Sequence, residues 1–185
     1  MNCKCLKLSR VSIFYIAWIV MVIHICIANS NAQKYSTALV SYIAMLLFAL
    51  KIITQKRYKL WEIIIIVIAF LGGICSYLAA DDMRVLWFAL VLCASKDIEF
   101  DKVVNYSFKT MLFCCISFIV LFKMGFIEET IVYSIRGIRH SYGLGHPNMC
   151  SAYYALLMIQ YVYLHFKKIK SVHLSVLTIG SFIVY

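Results

Sequence analysis

I-I-I-I-V-I-A-F-L-G-G-I-C-S-Y-L-A-A, residues 63–80, is a run of eighteen residues without a charge. A helix rises ~1.5 Å per residue, so such a run covers most of a ~30 Å hydrocarbon core once a residue or two is added at each end. Six other apolar runs share the chain: 11–28, 35–50, 85–94, 110–122, 149–166 and 172–185. They raise the hydrophobic content of the 185 residues to 64% and hold the charged content to 14%. Soluble domains run nearer ~45–50% and ~25%. A water-soluble chain this long lacks the interior to hide that much apolar surface. A soluble enzyme, a disordered chain and a disulfide-rich secreted module are therefore excluded. The expected fold is all-α, a polytopic transmembrane helix bundle of six complete spans plus a truncated seventh, forming one transmembrane domain over residues 1–185.

The runs at 11–28, 63–80 and 149–166 fit a crossing directly. The run at 110–122 fits if Lys109 and Lys123 reach outward along their stems. Residues 85–94 are the short case, rising only ~15 Å as a helix. Lys4, Lys7 and Arg10 ahead of the first run resemble the start of a signal peptide, and Ser30-Asn31-Ala32 passes for a small-residue cleavage site. The run at 11–28 exceeds the ~7–15 residues usual for a signal, so it reads as a retained first helix.

Eighteen Lys and Arg against eight Asp and Glu give a net charge of +10. The basic residues cluster between the apolar runs, which is how membrane orientation is set, and no basic stripe points to nucleic acid. With a cytoplasmic N-terminus and every run crossing, thirteen Lys and Arg fall inside and five outside (Lys34, Arg84, Lys123, Arg136 and Arg139). If 85–94 does not cross, the count becomes ten against eight. The first arrangement obeys the positive-inside rule, so the expected location is multi-pass in the cell membrane with residues 123–148 outside.

Eight cysteines include six in or at the end of apolar runs, where a thiol packs as a small hydrophobe. Cys3 and Cys5 lack the second ligand pair of a zinc site, so neither a disulfide framework nor a metal is expected. Asp81, Asp82 and Arg84 read as a solvated turn with sugar binding as the alternative, and Glu128 and Glu129 in the long outer loop read the same way. His24 reads as a neutral core histidine, and His165 and His173 as interfacial residues.

Residues 136–148, R-G-I-R-H-S-Y-G-L-G-H-P-N, form the densest polar stretch, with two arginines, two histidines and the single proline. Pro147 suits the first turn of a helix, which places His146 at the N-cap and Asn148 in the first turn. Unpaired N–H groups and the positive end of the helix dipole would then favour an anion, with Arg136 and Arg139 close in sequence. Gly143 and Gly145 permit positive φ or close approach to a ligand. The plain alternative is a capped helix after a flexible loop, with arginines on lipid head groups.

The segment R-H-S-Y-G-L-G-H-P-N, 139–148, resembles the arginine-glycine-histidine-proline-asparagine signature of Wzy-type polysaccharide polymerases. In that family it lies in an outer loop leading into a transmembrane helix. The match covers about ten residues plus the hydropathy pattern. Family members are roughly twice this length, and this chain stops fourteen residues into its seventh run. The expectation is therefore the N-terminal part of a longer polymerase, inactive alone.

The resemblance implies a glycosyltransferase joining polyprenyl-pyrophosphate-linked oligosaccharide units at the outer membrane face. It implies no cofactor or metal, and the lipid bilayer and other polysaccharide-export membrane proteins as partners. Arg139 and Arg136 would hold the pyrophosphate, His140 or His146 would orient the acceptor or take its proton, and Asn148 would bond sugar or phosphate. Two rival readings stand beside it. One is a membrane-embedded cysteine peptidase using Cys150 with His146, four residues before it, or His140. The other is a non-catalytic membrane protein such as a transporter subunit.

Overall fold

The computed structural model describes residues 3–33, 38–55, 58–81, 83–134, 137–172, 175 and 178–180, and 77% of the described residues are helical. In chain order the elements are α1 (Cys3–Ala28), α2 (Ala38–Thr54), α3 (Leu60–Ala80), α4 (Arg84–Ala94), α5 (Phe100–Lys123), β1 (Ile131–Ser134), β2 (Gly137–His140) and α6 (Pro147–His165), followed by a 3-10 turn at Phe166–Lys168. Three helices among the described residues are long and apolar enough to cross a membrane: Arg10–Ala28 within α1, α3 and α5. The helices α2 and α4 are apolar but shorter. At 11 residues α4 rises only ~16 Å, about half a hydrocarbon core. In α6, four tyrosines, Asn148 and Gln160 interrupt the apolar surface, and it is not one of the three.

The chain divides into two compact units, Met1–Val20 with Ser41–Glu99 and Met21–Val40 with Phe100–Tyr185. In the first unit α3 and α4 pack as a helical hairpin. Asp81 closes α3 in the left-handed region and donates its N–H to Tyr77 O at 2.8 Å. Gly73 permits the contact: a Cβ there would lie 2.9 Å from Leu86 Cα. It is also the buried residue of α3, whose Ile64, Ile68, Leu71 and Leu78 are all more than half exposed. Water would penalise such a surface at roughly 25 cal/mol per Å², whereas lipid does not. This marks a membrane-associated chain.

The core of the first unit forms around Phe14, which stacks on Trp18 and meets Phe48 edge-on at a centroid distance of 5.5 Å. On α2, Ala44, Phe48 and Lys51 recur at helical spacing and are all buried. Lys51, 1% exposed, donates to Gln55 Oε1 and to Lys96 O, while Gln55 Nε2 donates to Asp97 Oδ2 at 2.7 Å. Glu62 accepts the Lys59 N–H at the start of α3 and pairs with Lys96.

In the second unit α5 packs on α6. A stripe on α5, Ser107, Met111, Cys114, Cys115 and Phe118, is buried, together with Cys26 and Tyr153, whose hydroxyl reaches Cys26 O at 3.5 Å. The cysteines fill core volume next to small and aromatic neighbours.

Candidate functional site

The segment between α5 and α6 is built rather than irregular. After α5, Gly125 takes φ +79° and Phe126 N–H returns to Leu121 O, turning the chain back on itself. The β-branched and aromatic residues Ile131, Val132 and Tyr133 then form β1. It pairs antiparallel with β2 in the register Ile131–His140, Val132–Arg139, Tyr133–Ile138 and Ser134–Gly137. The pairing extends one step inward: Ser141 N–H donates to Thr130 O at 3.2 Å, and Thr130 N–H donates to Ser141 Oγ at 3.0 Å. Ser141 is fully buried there.

Glu129 organises the top of this hairpin. One carboxylate oxygen accepts the Tyr142 backbone N–H at 3.2 Å, and the other lies 3.2 Å from His140 Nδ1. His140 also stacks on the Tyr142 ring, with centroids 5.8 Å apart. When Nδ1–H donates to a carboxylate, the neutral ring keeps its lone pair on Nε2, so this imidazole is oriented to accept a proton.

His146 takes the opposite tautomer. It is the N-cap of α6 with Pro147 behind it, and its Nδ1 accepts the Asn148 N–H at 3.2 Å. The neutral ring then carries its proton on Nε2 and offers a donor. His146 O accepts from Met149 N–H at 2.8 Å and from Cys150 N–H at 3.3 Å. Pro147 has no N–H, so the first turn of α6 has no open backbone N–H for an anion among the described residues. The N-terminal N–H groups expected to bind phosphate are satisfied within the chain, and an anion here would depend on side chains. His146 is likewise committed to its cap rather than to the half-buried Cys150, and the bond between those two residues is a backbone one.

The two glycines serve packing. Gly143, at φ +82°, lies against Phe118 O and Phe122 Cβ, each 3.1 Å from where a Cβ would stand. Gly145, at φ +84°, lies against the Asn29 carbonyl, which a Cβ would strike. Close approach is needed at both, but to protein.

The end of α1 completes the site. Asn31 donates its N–H to Gly143 O at 3.1 Å, and its side-chain amide donates to Glu128 O at 2.6 Å and to Thr130 Oγ1 at 3.1 Å. Ser30 Oγ donates to Ile27 O and accepts the Ala32 N–H, fixing the turn. A pocket of about 450 Å³ opens there, lined by Ala28, Asn29, Ser30, Asn31, Gln33, Thr130, Gly145, His146 and Met149.

Of the residues singled out from the sequence, His140 is joined to Glu129 and to Tyr142, while Gly145 and His146 share the pocket. Arg139 is half-buried in β2 opposite Val132 and does not line the pocket. Asn148 is exposed beside its cap. Arg136 lies outside the described residues, as do Asp82 and His173. Glu129, Thr130, Asn29 and Asn31 were not expected at the site. In sequence Glu129 reads as part of a solvated loop, and Asn31 lies just past a retained first helix, in a stretch that only resembles a cleavage site.

No protein-family model, no curated protein and no solved structure matches the chain.

Proposed function

We propose that the chain acts in membrane polysaccharide polymerisation, as a glycosyltransferase joining polyprenyl-pyrophosphate-linked oligosaccharide units at the outer membrane face. The observation that carries this reading is the His140–Glu129 pair, next to Arg139 in β2 and within the 139–148 segment that resembles the polymerase signature. In the proposed reaction an acceptor sugar hydroxyl gives its proton to His140 Nε2 as its oxygen bonds to the donor's anomeric carbon. The anomeric C–O bond breaks, and its electron pair leaves on the lipid pyrophosphate. Arg139 meets that charge, and Glu129 holds the imidazolium that forms. His146, whose proton lies on Nε2, donates a hydrogen bond rather than taking a proton.

The proposed topology has the N-terminus in the cytoplasm, residues 123–148 outside, and α2, α4 and α6 crossing together with the three longer helices. Thirteen basic residues inside against five outside support this orientation.

The test is binding of farnesyl pyrophosphate to the chain in nanodiscs. Arg139→Ala should weaken binding by about 10–100-fold, the size of one charge-assisted contact, and Arg139→Lys should recover part of that. Unchanged affinity in Arg139→Ala removes this residue from the mechanism, and no binding by the folded wild-type chain contradicts the proposal.

A further inference from the structure

The pocket at the end of α1 has a chemistry of its own. Its polar lining is Asn29, Ser30, Asn31, Gln33, Thr130 and His146, and among the described residues no Lys, Arg, Asp or Glu lines it. A phosphate or a carboxylate would find no fixed countercharge among these groups. Amides and hydroxyls, which both donate and accept, match the ring hydroxyls of a sugar. Several of these groups are open among the described residues. Asn29 uses its Nδ2 on Ile25 O and leaves Oδ1. Asn31 uses its Nδ2 on Glu128 and Thr130 and leaves Oδ1. His146 leaves Nε2–H once its Nδ1 holds the cap. Ala28, Gly145 and Met149 supply apolar surface for the C–H face of a ring. The volume, about 450 Å³, lies within the ~300–1,000 Å³ usual for small-ligand sites. The walls are also pre-formed: Asn31 alone ties the α1 turn to the loop by three hydrogen bonds, so little ordering remains to oppose binding.

The geometry points to a binding site for a neutral sugar residue in this pocket, formed jointly by the α1 turn and the start of α6. Resting on the polymerase reading, it is the acceptor subsite, separate from the arginine that would hold pyrophosphate.

The experiment is saturation-transfer NMR of the chain in nanodiscs with methyl glycosides of glucose, galactose, N-acetylglucosamine and glucuronic acid, with farnesyl pyrophosphate binding measured in parallel. At least one neutral glycoside should show transfer, and the glucuronide should not. Replacing Asn29 and Gln33 together by Ala should raise the glycoside Kd about tenfold or more, as two lost hydrogen bonds imply. Farnesyl pyrophosphate binding should be unchanged in that variant. The Asn29 side chain bonds Ile25 O within α1 rather than the loop, and its carbonyl against Gly145 is backbone that alanine keeps; protection of Cys26 and Cys114 from thiol reagents reports that the variant is folded. Glycoside binding untouched by the double substitution overturns the inference. So does farnesyl pyrophosphate binding without any glycoside binding, which leaves the proposed function standing. Glycoside binding without farnesyl pyrophosphate binding overturns the proposed function and leaves a sugar site.

Discussion

Gly145→Ala tests how the loop is anchored to the end of α1. The new Cβ meets two separable costs. An alanine at φ +84° sits in the left-handed region, worth ~1–2 kcal/mol. It also strikes the Asn29 carbonyl, and shifting a well-packed neighbour costs ~1–3 kcal/mol. Asn29 begins the turn whose Asn31 makes three hydrogen bonds to the loop, so movement there is transmitted directly. The total, ~2–5 kcal/mol, corresponds to a fall in Tm of about 4–20 °C for a chain of this size. Gly125→Ala is the matched control: its φ is +79° and a Cβ there meets nothing within 4 Å, so it carries the conformational cost alone. The assay is thermal unfolding in detergent, followed by a maleimide dye that reacts with Cys26, Cys114 and Cys115 as the core opens. Gly145→Ala should melt about 2–12 °C below Gly125→Ala, given ~1–3 kcal/mol of collision. Equal melting of the two variants would show that the loop does not rest on the α1 turn.

Two further outcomes follow from the same contacts. Gly73→Val, with Gly72→Ala as a control in open space, should separate α3 from α4 and destabilise the chain by ~2–4 kcal/mol, read in the same melt; a Tm within 2 °C of wild type contradicts the close approach at Leu86. Single cysteines at Tyr133 and Lys59, in a background lacking Cys3, Cys5 and Cys75, should react with an impermeant maleimide from opposite sides of the membrane, and labelling from one side refutes the topology.

The parts of the fold that hydropathy controls were legible in advance. The run at 63–80 became α3 with nearly those limits, and the run at 11–28 became the apolar part of α1, which starts earlier, at Cys3, because nothing in either run opposes a helix in lipid. The run at 110–122 was too short, since Asp101, Lys102 and Lys109 end the apolar stretch without ending α5. Lys51 read as a charge flanking a span, and its burial was invisible because its carbonyl partner belongs to Lys96, 45 residues away. The hairpin was missed although I-V-Y-S and G-I-R-H are good strand sequences, because four residues per strand give period-2 alternation little room. At the site, the N-cap of His146 was local and readable. The Glu129–His140 contact spans 11 residues and needs the hairpin register, and the contribution of Asn29 and Asn31 crosses about a hundred residues, so neither could be read from spacing. The same locality misled the anion argument: a helix N-terminus is visible in sequence, but not that its first N–H groups are already taken.

Photo-crosslinking tests the central claim most directly. A diazirine-bearing polyprenyl-pyrophosphate-linked oligosaccharide is added to membranes containing the chain, and the adducts are mapped by mass spectrometry. The account predicts adducts concentrated in residues 29–33 and 129–149, competed by unlabelled lipid-linked oligosaccharide and reduced in Arg139→Ala. Adducts spread along the lipid-facing surface of α3, unaffected by competitor or by that substitution, would contradict it.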